Sequence, residues 1–111
     1  MGNFNNSTPS GILGDTTTAV AAAGTTAATA TIAPADHIEV TTATVNQGVI
    51  LTEKSAPALK SVINSTTVAI KVYPWSGAAF NGQTANAAIL LNPGGMAWFM
   101  CHSPTKIGYN T

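Results

Sequence analysis

The stretch at residues 67–73, TVAIKVY, decides the fold class of this 111-residue chain. Within it Val68, Ile70 and Val72 alternate with smaller or charged residues. An apolar residue at every second position is typical of a half-buried β-strand, because successive side chains of a strand point to opposite sides of the sheet. The stretch therefore predicts a strand, and similar patterns lie on both sides of it.

Short segments with strand character recur from residue 37 onward. They lie at residues 37–42, 48–52, 58–63, 87–91, 96–101 and 106–110. Turn-forming residues separate them, including Asn64-Ser65-Thr66, which is short enough for a hairpin, and Asn92-Pro93-Gly94-Gly95, which has the residues of a type II turn. About seven short strands without a convincing helix predict an all-β fold, namely a small antiparallel β-sandwich or barrel of the jelly-roll type.

The N-terminal region differs from the rest of the chain in composition. Residues 1–22 begin with a polar, glycine-rich stretch and are predicted to form an extended arm, which leaves residues 23–111 as the β domain. Phe4, Ile12 and Leu13 are apolar islands in this arm. Such a terminus either frays or docks its apolar side chains on a neighbour, and the second interpretation makes these three residues candidate partner contacts.

Charged side chains are scarce: they make up 7% of the chain, the formal net charge is zero, and the basic residues are four lysines. A nucleic-acid-binding protein needs clustered Lys or Arg to displace phosphate counterions, so we expect no nucleic-acid partner. The apolar runs are far shorter than the ~20 residues of a transmembrane helix, and no signal peptide is recognisable, so we expect no membrane association. Interface cores are depleted in charge, and the composition therefore favours an assembly subunit over a free monomer.

The residues with chemical potential do not form the pattern of a catalytic, cofactor or metal site. Asp36 and Glu39 flank His37, but one histidine between two acids falls short of the ligand set that a metal ion needs. Cys101 and His102 are adjacent, so a strand would point them to opposite faces rather than pair them as nucleophile and base. We therefore predict a non-enzymatic protein without cofactor, metal or small-molecule substrate.

Two aromatic residues that follow the 67–73 strand are further candidate partner contacts. Trp75 comes directly after Pro74 in a predicted loop, where a tryptophan is either a lid over the core or an interface anchor. Phe80 precedes Asn81-Gly82, a dipeptide that is favoured where the backbone needs a positive φ. The sequence leaves both interpretations of Trp75 open.

A series of short motifs follows one another along residues 23–109. In order they are AGTTAATA (23–30), VTT (40–42), GVIL (48–51), VIN (62–64), IKVYP (70–74) with SG (76–77), FNG (80–82), NAA (86–88), LNPGG (91–95) and FMC (99–101). In this order and spacing they resemble a family of small phage and prophage virion structural proteins. The chain departs from that family at Leu51-Thr52-Glu53, where Leu-Pro is common, and at Ile107-Gly108, where a tryptophan is common.

The resemblance implies a β-rich virion component without catalytic residues. It implies a head decoration, or cement, protein that binds the outer surface of the capsid shell as a homotrimer, with the major capsid protein as its partner. The expected location is the capsid surface of the virion, after synthesis in the host bacterial cytoplasm. A tail or head fibre subunit that binds a host receptor is the alternative that the resemblance leaves open.

Overall fold

The computed structural model describes residues 14–111, which form ten β-strands and no helix. The strands are β1 (Thr16–Ala21), β2 (Thr31–Ala33), β3 (His37–Thr42), β4 (Gly48–Leu51), β5 (Ala58–Asn64), β6 (Ile70–Tyr73), β7 (Ala79–Phe80), β8 (Ile89–Leu91), β9 (Met96–Ser103) and β10 (Lys106–Asn110). The predicted all-β class is confirmed. Nothing in this part of the chain is a helix long and apolar enough to cross a membrane.

The strands belong to two sheets that share one core. The six-stranded sheet has the order β1-β3-β5-β9-β10-β7, and the four-stranded sheet has the order β2-β4-β6-β8. From β1 to β9 the chain places successive strands alternately in the two sheets. It therefore winds around the core in a solenoid-like arrangement rather than in a sandwich or barrel.

This winding makes many neighbouring strands parallel. β1, β3 and β5 run parallel in one sheet, and β2, β4 and β6 run parallel in the other. The predicted antiparallel pairing is wrong for these strands and holds for β5 with β9, β9 with β10, and β6 with β8. The turn residues predict hairpins, but a chain that crosses to the other sheet at each turn comes back to the first sheet in its original direction.

One hydrophobic core fills the space between the two sheets. Its buried members include Ile38, Val40, Val49, Leu51, Val62, Ile70, Val72, Ile89, Leu91, Phe99 and Ile107. Ile70 and Val72 come from the stretch that decides the fold class, and both are fully buried as their alternation predicts. Burial of this apolar surface is the main favourable contribution to folding.

The N-terminal region contributes a strand to the sheet. β1, which lies within the predicted arm, pairs with β3 at the edge of the six-stranded sheet, where Thr16 is opposite His37. Its register shifts after Thr17, and Ala19 within the shifted stretch has a positive φ of 58°. Phe4, Ile12 and Leu13 lie outside the described residues.

Asn64 joins the two sheets at the corner where the chain leaves β5. Its buried side-chain Nδ2 donates to the backbone carbonyls of Val68, Leu91 and Asn92 at 2.8, 3.0 and 3.1 Å. Its Oδ1 accepts hydrogen bonds from the amide and the hydroxyl of Thr66 at 3.0 and 2.7 Å. One side chain thus donates to carbonyls from two segments of the chain, among them the buried carbonyl of Leu91.

The predicted turn at residues 92–95 lies directly against this corner. The amide of Gly95 donates to the Asn92 carbonyl at 2.9 Å, and Gly94 has a φ of 73°, the left-handed value that a type II turn requires at this position. The turn is therefore confirmed, but it carries the chain from β8 to β9 in the other sheet instead of closing a hairpin. Backbone bonds from Gly94 to Asn64 and from Asn64 to Gly95 fix it in place.

Replacement of Asn64 by alanine is expected to lower the free energy of unfolding by about 2 kcal/mol, because the buried Leu91 carbonyl loses this donor and the Thr66 amide loses its acceptor. Asn81→Ala removes an exposed amide and is the matched control, with an expected change within about 0.5 kcal/mol. Urea denaturation followed by circular dichroism measures both values. Equal stability of the two variants would contradict the role assigned to the corner.

Candidate functional site

A buried ion cluster lies where the chain enters β3. The Asp36 carboxylate contacts the Lys54 ammonium at 2.5 Å and the Lys60 ammonium at 3.2 Å. Asp36 is buried, Lys60 is only 1% exposed, and Lys54 closes the cluster from the solvent side. The cluster is not recognisable in the sequence, because Lys54 and Lys60 lie 18 and 24 residues from Asp36 and only the winding brings the three together.

The lysines determine the protonation of the cluster. Burial by itself raises the pKa of Asp36, but the hydrogen bonds and positive charges of Lys54 and Lys60 lower that pKa by more, so the carboxyl stays ionised. The hydrogen bond from Asp36 raises the pKa of the Lys54 ammonium. The two ammonium groups balance the charge of the carboxylate, so the cluster offers no free acid or base. It instead connects three segments of the fold.

Cys101 and His102 are separated as their adjacency in a strand predicts. Cys101 is fully buried in the core, whereas His102 is exposed on the outer side of β9. Burial raises the pKa of the Cys101 thiol, and a protonated thiol is a poor nucleophile. The two side chains therefore do not form a catalytic pair.

The side chain of His37 contacts Ser61 and Trp98 rather than the acidic residues that flank it in the sequence. Its Nδ1 lies 2.8 Å from the Ser61 hydroxyl, and its ring meets the Trp98 ring edge-on with centroids 6.0 Å apart. Asp36 is held by the lysines, and Glu39 accepts hydrogen bonds from Thr18 and Ser65. Within residues 14–111 no three histidine, cysteine or acidic side chains converge as a metal site would require.

The outer side of the six-stranded sheet carries exposed apolar side chains, and we name it the Trp98 face. It consists of Leu59 and Ile63 on β5 and of Met96, Trp98 and Met100 on β9. Ile63, Trp98 and Met100 are large exposed apolar residues. The neighbouring positions that point inward on β9, Ala97, Phe99 and Cys101, are fully buried, so the alternation in the sequence already separates the two sides of this strand.

The outer side of the four-stranded sheet is a second apolar surface, which we name the Leu90 face. Ile32 and Leu90 are strongly exposed on its two edge strands, β2 and β8, and the half-buried Ile50 lies opposite Ile32. Lys71 is the charged residue of this face, and it is directly opposite Leu90 in the pairing of β6 with β8. Because the two sheets share a core, the Leu90 face and the Trp98 face lie on opposite sides of the molecule.

The predicted contacts Trp75 and Phe80 lie in the core. The indole nitrogen of Trp75 donates to the Pro104 carbonyl at 2.8 Å, and its side chain is 5% exposed. Phe80 is fully buried and packs on Phe99 and Tyr109, with ring centroids 5.2 and 5.6 Å away. Trp75 is thus placed as a lid over the core. Among the described residues, the exposed tryptophan is Trp98.

No family model, curated protein or solved structure matches this chain. The surfaces and buried groups of the chain itself therefore indicate what it can do. Their arrangement offers two opposed apolar surfaces, and the described charged groups that are buried are engaged with one another.

Asp36→Asn is expected to lower the free energy of unfolding by about 3 kcal/mol, because it leaves the buried Lys60 ammonium without a counter-charge. Asp15→Asn changes an exposed carboxylate and is the control, with an expected effect within about 0.5 kcal/mol. Chemical denaturation at neutral pH measures both. An Asp36→Asn variant as stable as the parent would refute the proposed contribution of the cluster to the free energy of unfolding.

The cluster also predicts acid sensitivity. The pKa of Asp36 is lower in the folded than in the unfolded chain, so its stabilising contribution is complete above the unfolded value of about 4 and disappears as the pH falls through the folded value. We expect the free energy of unfolding of the parent to fall more steeply below about pH 4 than that of Asp36→Asn. Glu39, whose pKa is also lowered, acts equally in both proteins, so parallel pH profiles would contradict the prediction.

Proposed function

We propose that this chain is a phage head decoration, or cement, protein that binds the outer surface of the capsid shell and stabilises it as a homotrimer. The observation that supports this role is the pair of opposed apolar surfaces, the Trp98 face and the Leu90 face. A cement protein needs two kinds of contact, one with copies of itself and one with the shell. A small domain with an apolar surface on each side has a separate place for each contact.

The charge distribution is consistent with a protein that functions in contact with other protein surfaces. Burial of an unpaired charge at an interface is costly, and the cores of interfaces are depleted in charged residues. The large exposed side chains of the two faces are aliphatic, aromatic or sulfur-containing, and Lys71 is the charged residue among the described members of the Leu90 face. Lys71 on the Leu90 face forms no ion pair within the described residues, so a carboxylate of the shell protein is a suitable partner for it.

Stabilisation of the shell follows from mass action. A protein that binds the assembled shell and not the dispersed subunits shifts the equilibrium towards the shell, by an amount that grows with its concentration. No chemistry is required of the cement protein, only a folded scaffold that presents its surfaces. The parallel winding and the buried ion cluster supply such a scaffold.

The number of copies in particles of the phage that encodes this chain tests the proposal. A decoration protein is expected in hundreds of copies per head and on heads that lack tails, as measured by quantitative mass spectrometry of purified particles. A few copies per particle, or recovery with tails alone, would overturn the decoration role and favour the fibre subunit.

A substitution on the Leu90 face is expected to weaken shell binding. Leu90→Glu places a carboxylate where an apolar contact is expected, and should lower the affinity of the purified chain for particles lacking it at least about 10-fold. Val45→Glu changes an equally exposed apolar side chain that lies outside both sheets and is the matched control. Co-sedimentation with the particles measures both, and equal binding of the two variants would exclude the Leu90 face as the shell contact.

A further inference from the structure

The Trp98 face has the composition of an interface centre. Trp98 is 42% exposed, Met100 is 47% exposed and Ile63 is 39% exposed, and all three lie on adjacent strands. Tryptophan is enriched among the residues that carry most of the binding energy of interfaces. An exposed cluster of large apolar side chains on the middle strands of a sheet therefore indicates a binding surface.

The surface beside Met100 is indented. Gly108 is opposite Met100 in the pairing of β9 with β10 and carries no side chain. Two hollows of about 240 and 290 Å³ adjoin Met100 and Gly108, one towards Lys106 and the other towards Trp98. Exposed apolar side chains next to such hollows let a copy of the same surface interlock with it, since each copy brings both projections and depressions.

The size of the face suits a contact between copies. Strands about 4.8 Å apart with a rise of about 3.3 Å per residue give the outer side of the whole six-stranded sheet an area of about 500 Å². Two such faces bury about 1,000 Å² in total, which is about the size that a biological interface has to reach.

The charges around the face are compatible with a second copy of the same face. Glu39 lies on the β3 side and Lys106 on the β10 side, so the two margins carry opposite signs. About a symmetry axis parallel to the strands, twofold or threefold, the β3 side of one copy lies beside the β10 side of its neighbour. Like charges are therefore not brought together. The Leu90 face lacks this property, because Lys71 is its charged residue and two copies would bring like charges to the same contact.

We propose that the Trp98 face is covered by another copy of this chain and is the contact that holds the homo-oligomer together. The inference rests on the proposed function for the existence of an oligomer and assigns the surface through which it forms. It leaves the Leu90 face on the outside of the oligomer, where the shell can reach it.

The mass of the purified full chain in the absence of any shell protein tests the assignment. Analytical ultracentrifugation of the parent over a dilution series is expected to give an oligomer. Met100→Glu should raise the dissociation constant at least about 100-fold and leave a folded monomer. Ile63→Glu, on the neighbouring strand, should do the same, and circular dichroism verifies that both variants fold.

Leu90→Glu is the matched control, because it places the same charge on a strand position that is 54% exposed on the opposite side of the molecule. It should keep the mass of the parent. The indole fluorescence of the parent should shift to longer wavelength on dilution as Trp98 becomes exposed, while the buried Trp75 contributes a constant signal.

A parent that stays monomeric at every concentration overturns the assignment. So does a Met100→Glu variant that associates like the parent, or a Leu90→Glu variant that dissociates as readily as Met100→Glu. An oligomer that forms through another surface overturns this inference alone, because the number of copies on purified heads judges the decoration role separately.

Discussion

The fold depends on the hydrogen bonds that Asn64 makes at the corner between its two sheets. A chain that changes sheets after every strand has many corners, and each corner turns backbone carbonyls away from the ladders that would pair them. The buried side-chain amide of Asn64 donates hydrogen bonds to the carbonyls of Val68, Leu91 and Asn92. These acceptors lie just before β6, at the last residue of β8 and directly after it, so a single side chain connects the end of β5 with both strands.

The ion cluster has a comparable role at the other end of β5. Asp36, Lys54 and Lys60 come from three segments, and their charges are satisfied only when the winding is complete. A buried pair of this kind is costly to break, because one partner then stays behind as an unpaired charge. With the inward side of each sheet occupied by the core and by these polar groups, recognition is left to the outward sides. The Trp98 face and the Leu90 face follow from that division.

Much of the strand content was predictable from local sequence, and the way the strands are joined was not. The alternation in residues 37–42 and 106–110 gave strands with the observed bounds, and the turn at residues 92–95 formed as its proline and glycines predict. Parallel pairing could not be predicted, because a turn sequence specifies a change of direction and not the sheet that receives the next strand. The ion cluster was hidden for the same reason. The alternation in β9 separates Trp98 from Phe99, but both sides of this strand are apolar, so the sequence does not indicate which side faces outward.

The position of β1 and β2 at the edges of the two sheets has a consequence for how such a chain can change in length. Among residues 14–111, β1 and β2 are the outermost strands of the two sheets at one end, and they pair with β3 and β4 of the next winding. A duplicated winding inserted before β1 would meet the same backbone pattern that β3 now offers to β1, and the existing core would stay intact. Lengthening by whole windings would move an attached N-terminal segment outward by about 4.8 Å per added strand layer while both binding faces kept their residues. The number of windings can thus change the length of this protein without changing the residues of the Trp98 face or the Leu90 face.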